Sequence, residues 1–307
     1  MKSIPISFAD LLTTIYVMVD DWNQETYPQP LKKRAGVAAV FSDSEVMTLM
    51  LAHDYLPYPG ETQFLGHIRG NYLNLFPKLL DQSQFNRRAR GLRAKVEGFR
   101  QRLVQELIAP TPESILDLLL DTKPIPVVGY KRNKNGSDFL DSAGYGVCVS
   151  RKLQYFGYKL VALTTLAGLP LVYDLVPANT DERIAAETVL IQAAGADIFG
   201  DKGFIGEFWQ AEMLAETDNR IWTPKRVNQS KQNSPEFDRW LTRVRERIEG
   251  AFHEVQNTGR HLEHLIAKTV VGLVSRIVSK MTSHALRIWL RHFLGIDVLT
   301  FSIADAP

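Results

Sequence analysis

The feature that most constrains the fold is a change of pattern near Pro110. Before it, from Phe8 to about Leu107, apolar residues recur at spacings of three and four, which is typical of helices that bury one face. After it, short apolar runs alternate with turn residues and helical stretches, which is typical of strands joined by helices. The sequence therefore predicts an α/β protein in which an all-helical N-terminal region precedes a mixed β-sheet flanked by helices.

The second half of the chain predicts the order β-β-β-α-β-α-β-α. The predicted strands cover residues 115–120, 158–165, 169–176, 196–199 and 220–223. The predicted helices cover residues 181–194 and 207–215, followed by a helix that begins at Pro235, and a closing helix covers 266–293. We expect three regions: a helical region over 1–110, the sheet domain over 111–258, and a helical extension over 259–307 that packs on the sheet domain.

Local signals add detail to the helical region. Ser42 stands three residues before Glu45, which predicts a capping box at the start of a helix that runs to about Tyr55. The segment from Ser83 to Leu107 carries seven cationic residues opposed only by Glu97 and Glu106 within the segment. It predicts a basic helix or a pair of short helices.

Composition limits the partners and the compartment. Lys and Arg total 36 against 34 Asp and Glu, so the formal net charge is +2 and any cationic binding surface must come from local clusters. Cys148 is the only cysteine, which excludes an internal disulfide and a thiolate zinc site and suggests a cytoplasmic protein. Five Lys and Arg residues interrupt the apolar stretch 262–294, and the N-terminus lacks the pattern of a signal peptide. We expect no membrane segment.

Three acidic residues lie where a cleft could form. Asp121 follows a predicted strand, and we expect the prolines at 124 and 126 to end regular pairing soon after it. Asp201 follows another predicted strand between two glycines, which allow a sharp turn. Glu249 lies on the helix from Pro235, one turn after Arg245. Such a helix, packed on the sheet, could bring Glu249 to the two aspartates.

Three converging carboxylates repel one another unless a divalent cation neutralises them, and oxygen ligands select Mg²⁺ or Mn²⁺ over zinc. Two such ions can activate a water or hydroxyl and stabilise the leaving oxygen of a phosphodiester. Each acid has a simpler interpretation alone, as a turn or cap residue or as an ion-pair partner of Arg245. Spacing does not exclude the neighbouring acids Asp117, Asp197, Glu246 and Glu254.

Five ordered blocks resemble those of DDE transposases of bacterial insertion sequences, most closely the insertion-sequence family numbered 982. The blocks are DTKPIP from Asp121, YFGYKL from Tyr155, PANTD from Pro177, GDKGF from Gly200 and RERIEGAF from Arg245. The resemblance covers Asp121 to about Phe252 and extends to the N-terminal helices. It implies an RNase H-like fold, Mg²⁺-dependent DNA strand cleavage and joining, and Asp121, Asp201 and Glu249 as the acidic triad. Glu249 is preferred to Glu246 because the third acid of the family follows an Arg by four positions.

A DNA substrate requires cations on one surface, because neutralised phosphates release counterions. Two clusters qualify, one in the segment 87–102 and one between the last predicted strand and the helix from Pro235. The DNA-binding candidates are Arg87, Arg88, Arg90, Arg93, Lys225, Arg226, Lys231 and Arg245. A basic helix is as often a solvated face as a binding surface, so the first cluster alone does not decide the question. Trp209, Trp222 and Trp240 are interpreted as core residues.

Two functions from different classes remain. The first is an active transposase that cleaves and joins double-stranded DNA at terminal inverted repeats and target sites, as a homodimer in the DNA complex. The second is a catalytically silent or domesticated DNA-binding protein on the same scaffold. Retention of all three acids favours the first. A nuclease of the same fold that hydrolyses structured nucleic acid is a weaker third interpretation.

Overall fold

The computed structural model describes residues 6–28, 40–148, 152–226 and 232–298, except the side chains at 248, 249 and 251. The chain divides into two compact units. The first comprises Met1–Leu103 and Asn257–Pro307, and the second comprises Val104–Gln256. Of the helices within the described ranges, none combines the length and the apolar character that a membrane span requires.

The first unit is helical. Its helices are α1 (Phe8–Thr26), α2 (Asp43–Ala52), α3 (Glu61–Asn71), α4 (Gln82–Gly91), α5 (Arg93–Ile108, which ends in the second unit) and α9 (Val270–Leu294). The predicted capping box is confirmed at the start of α2: the Ser42 hydroxyl accepts from the Glu45 N–H at 3.1 Å, and the Glu45 carboxylate accepts from the Ser42 N–H at 2.6 Å. The basic segment forms a pair of helices, α4 and α5, which is one of the two predicted forms.

Helix α9 belongs to the first unit, whereas we expected the C-terminal extension to pack on the sheet domain. The reason is a row of buried serines that the apolar pattern does not reveal. Ser275 donates to the Ala89 carbonyl of α4 at 3.2 Å, and Ser283 donates to the Leu51 carbonyl of α2 at 3.0 Å. Small side chains let the helices approach closely, and each hydroxyl satisfies its own hydrogen-bonding need at that contact.

The second unit is built on a six-stranded sheet. Its strands are β1 (Asp117–Val128), β2 (Gly144–Cys148), β3 (Leu153–Thr165), β4 (Pro170–Pro177), β5 (Asp197–Phe199) and β6 (Arg220–Trp222). Its helices are α6 (Glu182–Leu190), α7 (Glu207–Thr217) and α8 (Pro235–Asn257). Strand β3 pairs antiparallel with β1 on one side and with both β2 and β4 on the other. Strands β1, β5 and β6 are parallel neighbours. The series β4-β3-β1-β5-β6, three antiparallel strands followed by two parallel ones, is the RNase H-like arrangement that the resemblance implies.

Helices cover both faces of this sheet. Leu118 and Leu120 of β1 pack with residues of α6 and α7, including Leu190 and Met213. Successive side chains of a strand point to opposite faces, so Leu119 and Asp121 face the other side. Helix α8 lies there, since the Trp240 ring is 4.9 Å from that of Phe199 on β5.

Two details of the sheet differ from the sequence-based expectation. Strand β1 continues through Pro124 and Pro126, which we expected to end it. Strand β5 accompanies β1 only as far as Leu119, so both prolines lie where β1 has β3 on one side alone, and edge positions tolerate a missing N–H.

Strand β2 was not predicted. Two of its five residues are glycines, and these leave no apolar alternation to recognise. A side chain at Gly146 would lie 2.8 Å from Ala178 and Tyr155, so close packing requires glycine there. A glycine contributes nothing to an apolar pattern.

Candidate active site

Asp121 lies on β1, and Asp201 lies two residues beyond the end of β5, the parallel neighbour of β1. The register pairs Asp117 with Asp197 and Leu119 with Phe199, and the same offset in sequence separates Asp121 from Asp201. Adjacent strands are about 4.8 Å apart. The sheet therefore brings together the two aspartates that the sequence singled out, on the face that α8 covers.

The surroundings of Asp121 disfavour its charged form. Loss of hydration raises the pKa of this carboxyl to about 7, and the negative charge of Asp201 also raises it. The N–H of Thr122, which donates to Asp121 Oδ1 at 2.7 Å, opposes the rise, as do the positive charges of Lys123 and Arg245. Without a bound cation, Asp121 is thus close to half protonated at neutral pH.

Asp201 caps a turn at the end of β5. Its Oδ1 accepts from the Gly203 N–H at 2.6 Å, and the chain then forms one turn of 3-10 helix over Lys202–Phe204. This cap fixes the carboxylate at the carboxyl end of the strand. Asp201 thus lies where a metal ligand at a strand end is expected. Its Oδ2 forms no hydrogen bond with a described residue.

Glu182 is an additional carboxylate at this site, and sequence analysis did not single it out. A side chain added at Gly203 would lie 1.6 Å from Glu182 Oε2 and 2.9 Å from Asp201 Oδ1, so the two carboxylates flank this glycine. Burial raises the pKa of Glu182, the charge of Asp201 raises it further, and Lys159 opposes both. The only sequence signal was its place in the first turn of α6, where acids are common for electrostatic reasons alone.

Helix α8, which carries the position of the third predicted acid, lies on the same face of the sheet. Arg245 lies near enough to lower the pKa of Asp121, and Lys123 Nζ is 5.8 Å from the Phe252 ring centre. Position 249 is one turn after Arg245 and three residues before Phe252, which puts it on that side of the helix. The Glu249 side chain lies outside the described residues.

The neighbouring acids have other environments. Asp197 Oδ1 accepts from the Trp222 indole N–H at 2.8 Å, which gives this carboxylate a structural role between β5 and β6. Asp117 is exposed at the start of β1, and Glu246 and Glu254 are exposed on α8. None of these surroundings resembles that of Asp121.

The donor chemistry fits a hard divalent cation. Asp121 and Asp201 are carboxylates that raise each other's energy when charged, and no ion pair with either is found in the described part of the chain. Within those described side chains, no group of three His, Cys, Asp or Glu residues is arranged to hold a metal. The side chain of the third predicted ligand, Glu249, is not among those described.

The cationic candidates differ in how they are engaged. Arg88 and Lys95 both pair with Asp43, at 2.7 and 2.9 Å, and Arg100 pairs with Glu97 at 2.6 Å. The segment is thus less one-sided than its own sequence indicates, because Asp43 comes from α2. Arg87, Arg90 and Arg93 make no ion pair with a described residue.

Asn86, which precedes Arg87 on α4, donates to Glu61 at 2.9 and 3.0 Å. Among the later candidates, Lys225 is partly buried and Arg226 is exposed at the end of β6, whereas Lys231 lies outside the described residues. Trp209 and Trp222 are largely buried, but Trp240 is 42% exposed, so its interpretation as a core residue holds only in part.

Comparison with known families identifies the second unit. The model of the transposase DDE domain matches residues 117–270, half of the chain. The chain belongs to this family of transposases. No curated protein sequence matches the chain. Among solved structures, the Mos1 transposase in its paired-end complex with the left transposon end is similar at 13% identity and a TM-score of 0.24, over 80% of this chain and 88% of that one. The DDE domain thus begins at the first residue of β1 and includes Asp121, Asp201 and α8.

Proposed function

We propose that this transposase cleaves DNA strands at the ends of an insertion sequence and joins them to target DNA. The observation that carries the proposal is the proximity of Asp121 on β1 to Asp201, which follows the parallel neighbour β5 by two residues, inside the DDE domain. Two neighbouring carboxylates that repel each other are costly for stability alone. Their arrangement is understandable if they bind a cation during the reaction.

The acidic triad of this proposal is Asp121, Asp201 and Glu249, with Mg²⁺ as the cation and Mn²⁺ as a substitute. Bound there, the cation would promote attack on a phosphodiester and stabilise the leaving oxygen. Asp121 has a pKa of about 7, so its carboxyl gives up a proton when it becomes a ligand at neutral pH. The position of α8 supports Glu249, since Arg245 and Phe252 on either side of it both neighbour β1.

The cationic residues divide between two tasks. Lys225, Arg226, Lys231 and Arg245 belong to the unit of the acids and would hold the scissile strand. Arg87, Arg88, Arg90 and Arg93 would bind phosphates of the element end, with Arg88 the weakest contributor because Asp43 already neutralises it. On the resemblance, we further propose the insertion-sequence family numbered 982, terminal inverted repeats and target DNA as partners, a homodimer on DNA, and a cytoplasmic location.

The test is cleavage of a labelled duplex that carries the ends of the element, with full-length protein in Mg²⁺ and in Ca²⁺. Asp121→Asn, Asp201→Asn and Glu249→Gln preserve side-chain volume and remove a charged ligand. Each should lower the single-turnover rate by about a thousandfold or more. The wild type should cleave in Mg²⁺ and bind without cleaving in Ca²⁺.

Asp117→Asn is the matched control, because it makes the same change at an exposed position of the same strand. It should cleave like the wild type. Normal cleavage by any of the three triad variants would remove that residue from the triad. Specific binding of the end DNA by a wild type that never cleaves would support the silent DNA-binding protein instead.

A further inference from the structure

The first unit contains a cavity of about 390 Å³ with a cationic lining. Four parts of the chain form it: His53, the start of α3, one side of α4, and residues 260–276, which include the first turn of α9. Among the described residues of its lining, four are cations, Arg90, Arg260, Lys268 and Arg276, and Glu61 is the only carboxylate. A site of this composition favours an anion.

The single carboxylate is fully occupied by its neighbours. Glu61 is largely buried and accepts from Arg276 at 2.9 Å, from Gln82 at 3.0 Å and from Asn86 at 2.9 Å. Burial alone would raise its pKa, but Arg276 and the two amides lower it below the usual value, so Glu61 stays charged. Arg276 also donates to the Leu265 and Ile266 carbonyls at 2.9 and 2.6 Å. This network fixes one wall of the cavity.

A second buried ion pair fixes the opposite part of the lining. Arg260 donates from Nε and Nη2 to the two carboxylate oxygens of Asp54, at 3.0 and 2.8 Å. His53 packs flat against the Phe64 ring at 4.4 Å, and its Nε2 is 2.9 Å from the Tyr58 carbonyl. Both side chains are therefore held in place, and the walls are rigid before any ligand arrives.

Arg90 and Lys268 are the two cations of the lining that form no ion pair with a described residue. Arg90 Cδ lies 3.9 Å from the point where a Cβ on Gly272 would stand, so this side chain runs over the first turn of α9. Helix α3 begins at Gly60 without a side-chain cap, which leaves the partial positive charge of its first N–H groups in the same lining. Two cations and a helix start thus remain available to a ligand.

We propose that this cavity binds a phosphate group of the DNA backbone, with Arg90 and Lys268 as its contacts. The inference rests on the proposed function for its DNA ligand. A backbone phosphate is favoured over a nucleotide because His53, the one aromatic residue in the described lining, is 1% exposed and stacked on Phe64, so it offers no face to a base. The site would then position DNA without reading its sequence.

The test is binding of a fluorescent end duplex to the full-length chain, by anisotropy over a range of salt concentrations without divalent cations. Arg90→Gln/Lys268→Gln should weaken binding roughly five- to tenfold near 0.1 M salt and lower the log-log salt slope by about 0.9 per lost phosphate. Lys78→Gln/Arg291→Gln is the control, since it removes one Lys and one Arg from exposed positions of the same unit outside the cavity. It should keep the slope within a few tenths of the wild type.

A charge-conserving exchange guards against damage to the fold. Arg90→Lys/Lys268→Arg should restore the wild-type slope, and all variants should show the wild-type melting temperature. Equal slopes for the wild type and the Gln pair would overturn the proposal. If inorganic phosphate stabilises the wild type and not the Gln pair while their DNA slopes agree, the cavity takes a free anion and the DNA assignment is wrong.

Failure of this inference and failure of the proposed function give different results. A wild type that binds and cleaves end DNA while the Gln pair binds equally well refutes the cavity assignment alone. A wild type that binds no DNA at any salt concentration refutes the proposed function, and with it the DNA ligand of the cavity.

Discussion

Each of the two units holds an aspartate near other charged groups, and these groups affect the aspartate's charge in opposite ways. In the first unit, Asp54 is 1% exposed, receives a two-point ion pair from Arg260 and has Lys280 Nζ at 3.8 Å. In the second unit, the charge of another acid, Asp201, affects Asp121 more than that of Lys123 or Arg245, and the pKa of Asp121 is about 7. One carboxylate is compensated by the protein itself, and the other is not.

This difference separates a structural charge from a functional one. A buried charge with good partners is tolerated, although removal of one partner leaves the other uncompensated at high cost. A carboxylate held beside another carboxylate destabilises the fold until a cation or a proton neutralises it. Asp54 therefore joins α9 to the helices of the first unit, whereas our proposal gives Asp121 the role of a cation ligand.

The largest expected effect on stability comes from breaking the compensated pair. Arg260→Met leaves Asp54 buried with only the more distant Lys280, so we expect a loss of about 3–5 kcal/mol in the free energy of unfolding. Urea denaturation measures it. Arg239→Met removes an exposed ion pair with Glu236 and should cost less than about 1 kcal/mol. Similar losses in both variants would contradict the contrast.

Binding of a divalent cation should stabilise the second unit. If Mg²⁺ binds the folded state as proposed, a hundredfold excess over its dissociation constant should add about 2.7 kcal/mol to the wild type. Asp121→Asn/Asp201→Asn should show no such gain in a thermal melt. The exposed Asp117→Asn should respond like the wild type. An equal gain in the double variant would place the cation elsewhere.

The uncompensated acid should also give stability a pH dependence in the absence of divalent cations. Asp121 has a folded pKa of about 7 against about 3.9 unfolded, so the folded state holds a proton that the unfolded chain has lost. Wild-type stability should fall relative to Asp121→Asn between pH 4 and 7, by at most about 1.4 kcal/mol per pH unit, and the difference should be constant above pH 8. A flat difference from pH 4 to 8 would contradict the raised pKa.

The first unit should show a smaller effect of the opposite sign at higher pH. Burial lowers the pKa of Lys280 to about 8, aided by Arg260 and opposed by Asp54, so between pH 8 and about 10.5 the unfolded chain binds the extra proton. Wild-type stability should therefore rise with pH relative to Lys280→Met across this range. The measurement is chemical denaturation of both proteins from pH 7 to 10. A parallel pH dependence of the two would show that Lys280 keeps its ordinary pKa.

Local pattern was sufficient for most of the elements. The spacing of apolar residues predicted the helix from Pro235, which the structure confirms as α8, and the capping box predicted the start of α2. Short apolar runs predicted five of the six strands in the right order. These signals work because a helix or a strand repeats its environment every 3.6 or 2 residues, whatever else the chain contacts.

Ordered sequence motifs also singled out Asp121 and Asp201, and the parallel register of β1 and β5 agrees with that choice. Spacing by itself left Asp197 equally eligible. Its indole partner, Trp222, is 25 residues away in sequence, so only the fold distinguishes the two acids.

What only the tertiary structure decided involves partners that are distant in sequence. Asp43 forms ion pairs with Arg88 and Lys95 from another helix. Glu182 and Asp201 lie on either side of Gly203. The buried serines of α9 bind carbonyl groups of the first unit. Each depends on which surfaces meet after the chain has folded, and a buried hydroxyl or ion pair looks the same in sequence as an exposed one. The sequence by itself determined most of the elements and indicated the chemical class of the site, because those follow from near neighbours. Packing decided which charges are compensated, because compensation requires two groups within a few ångströms.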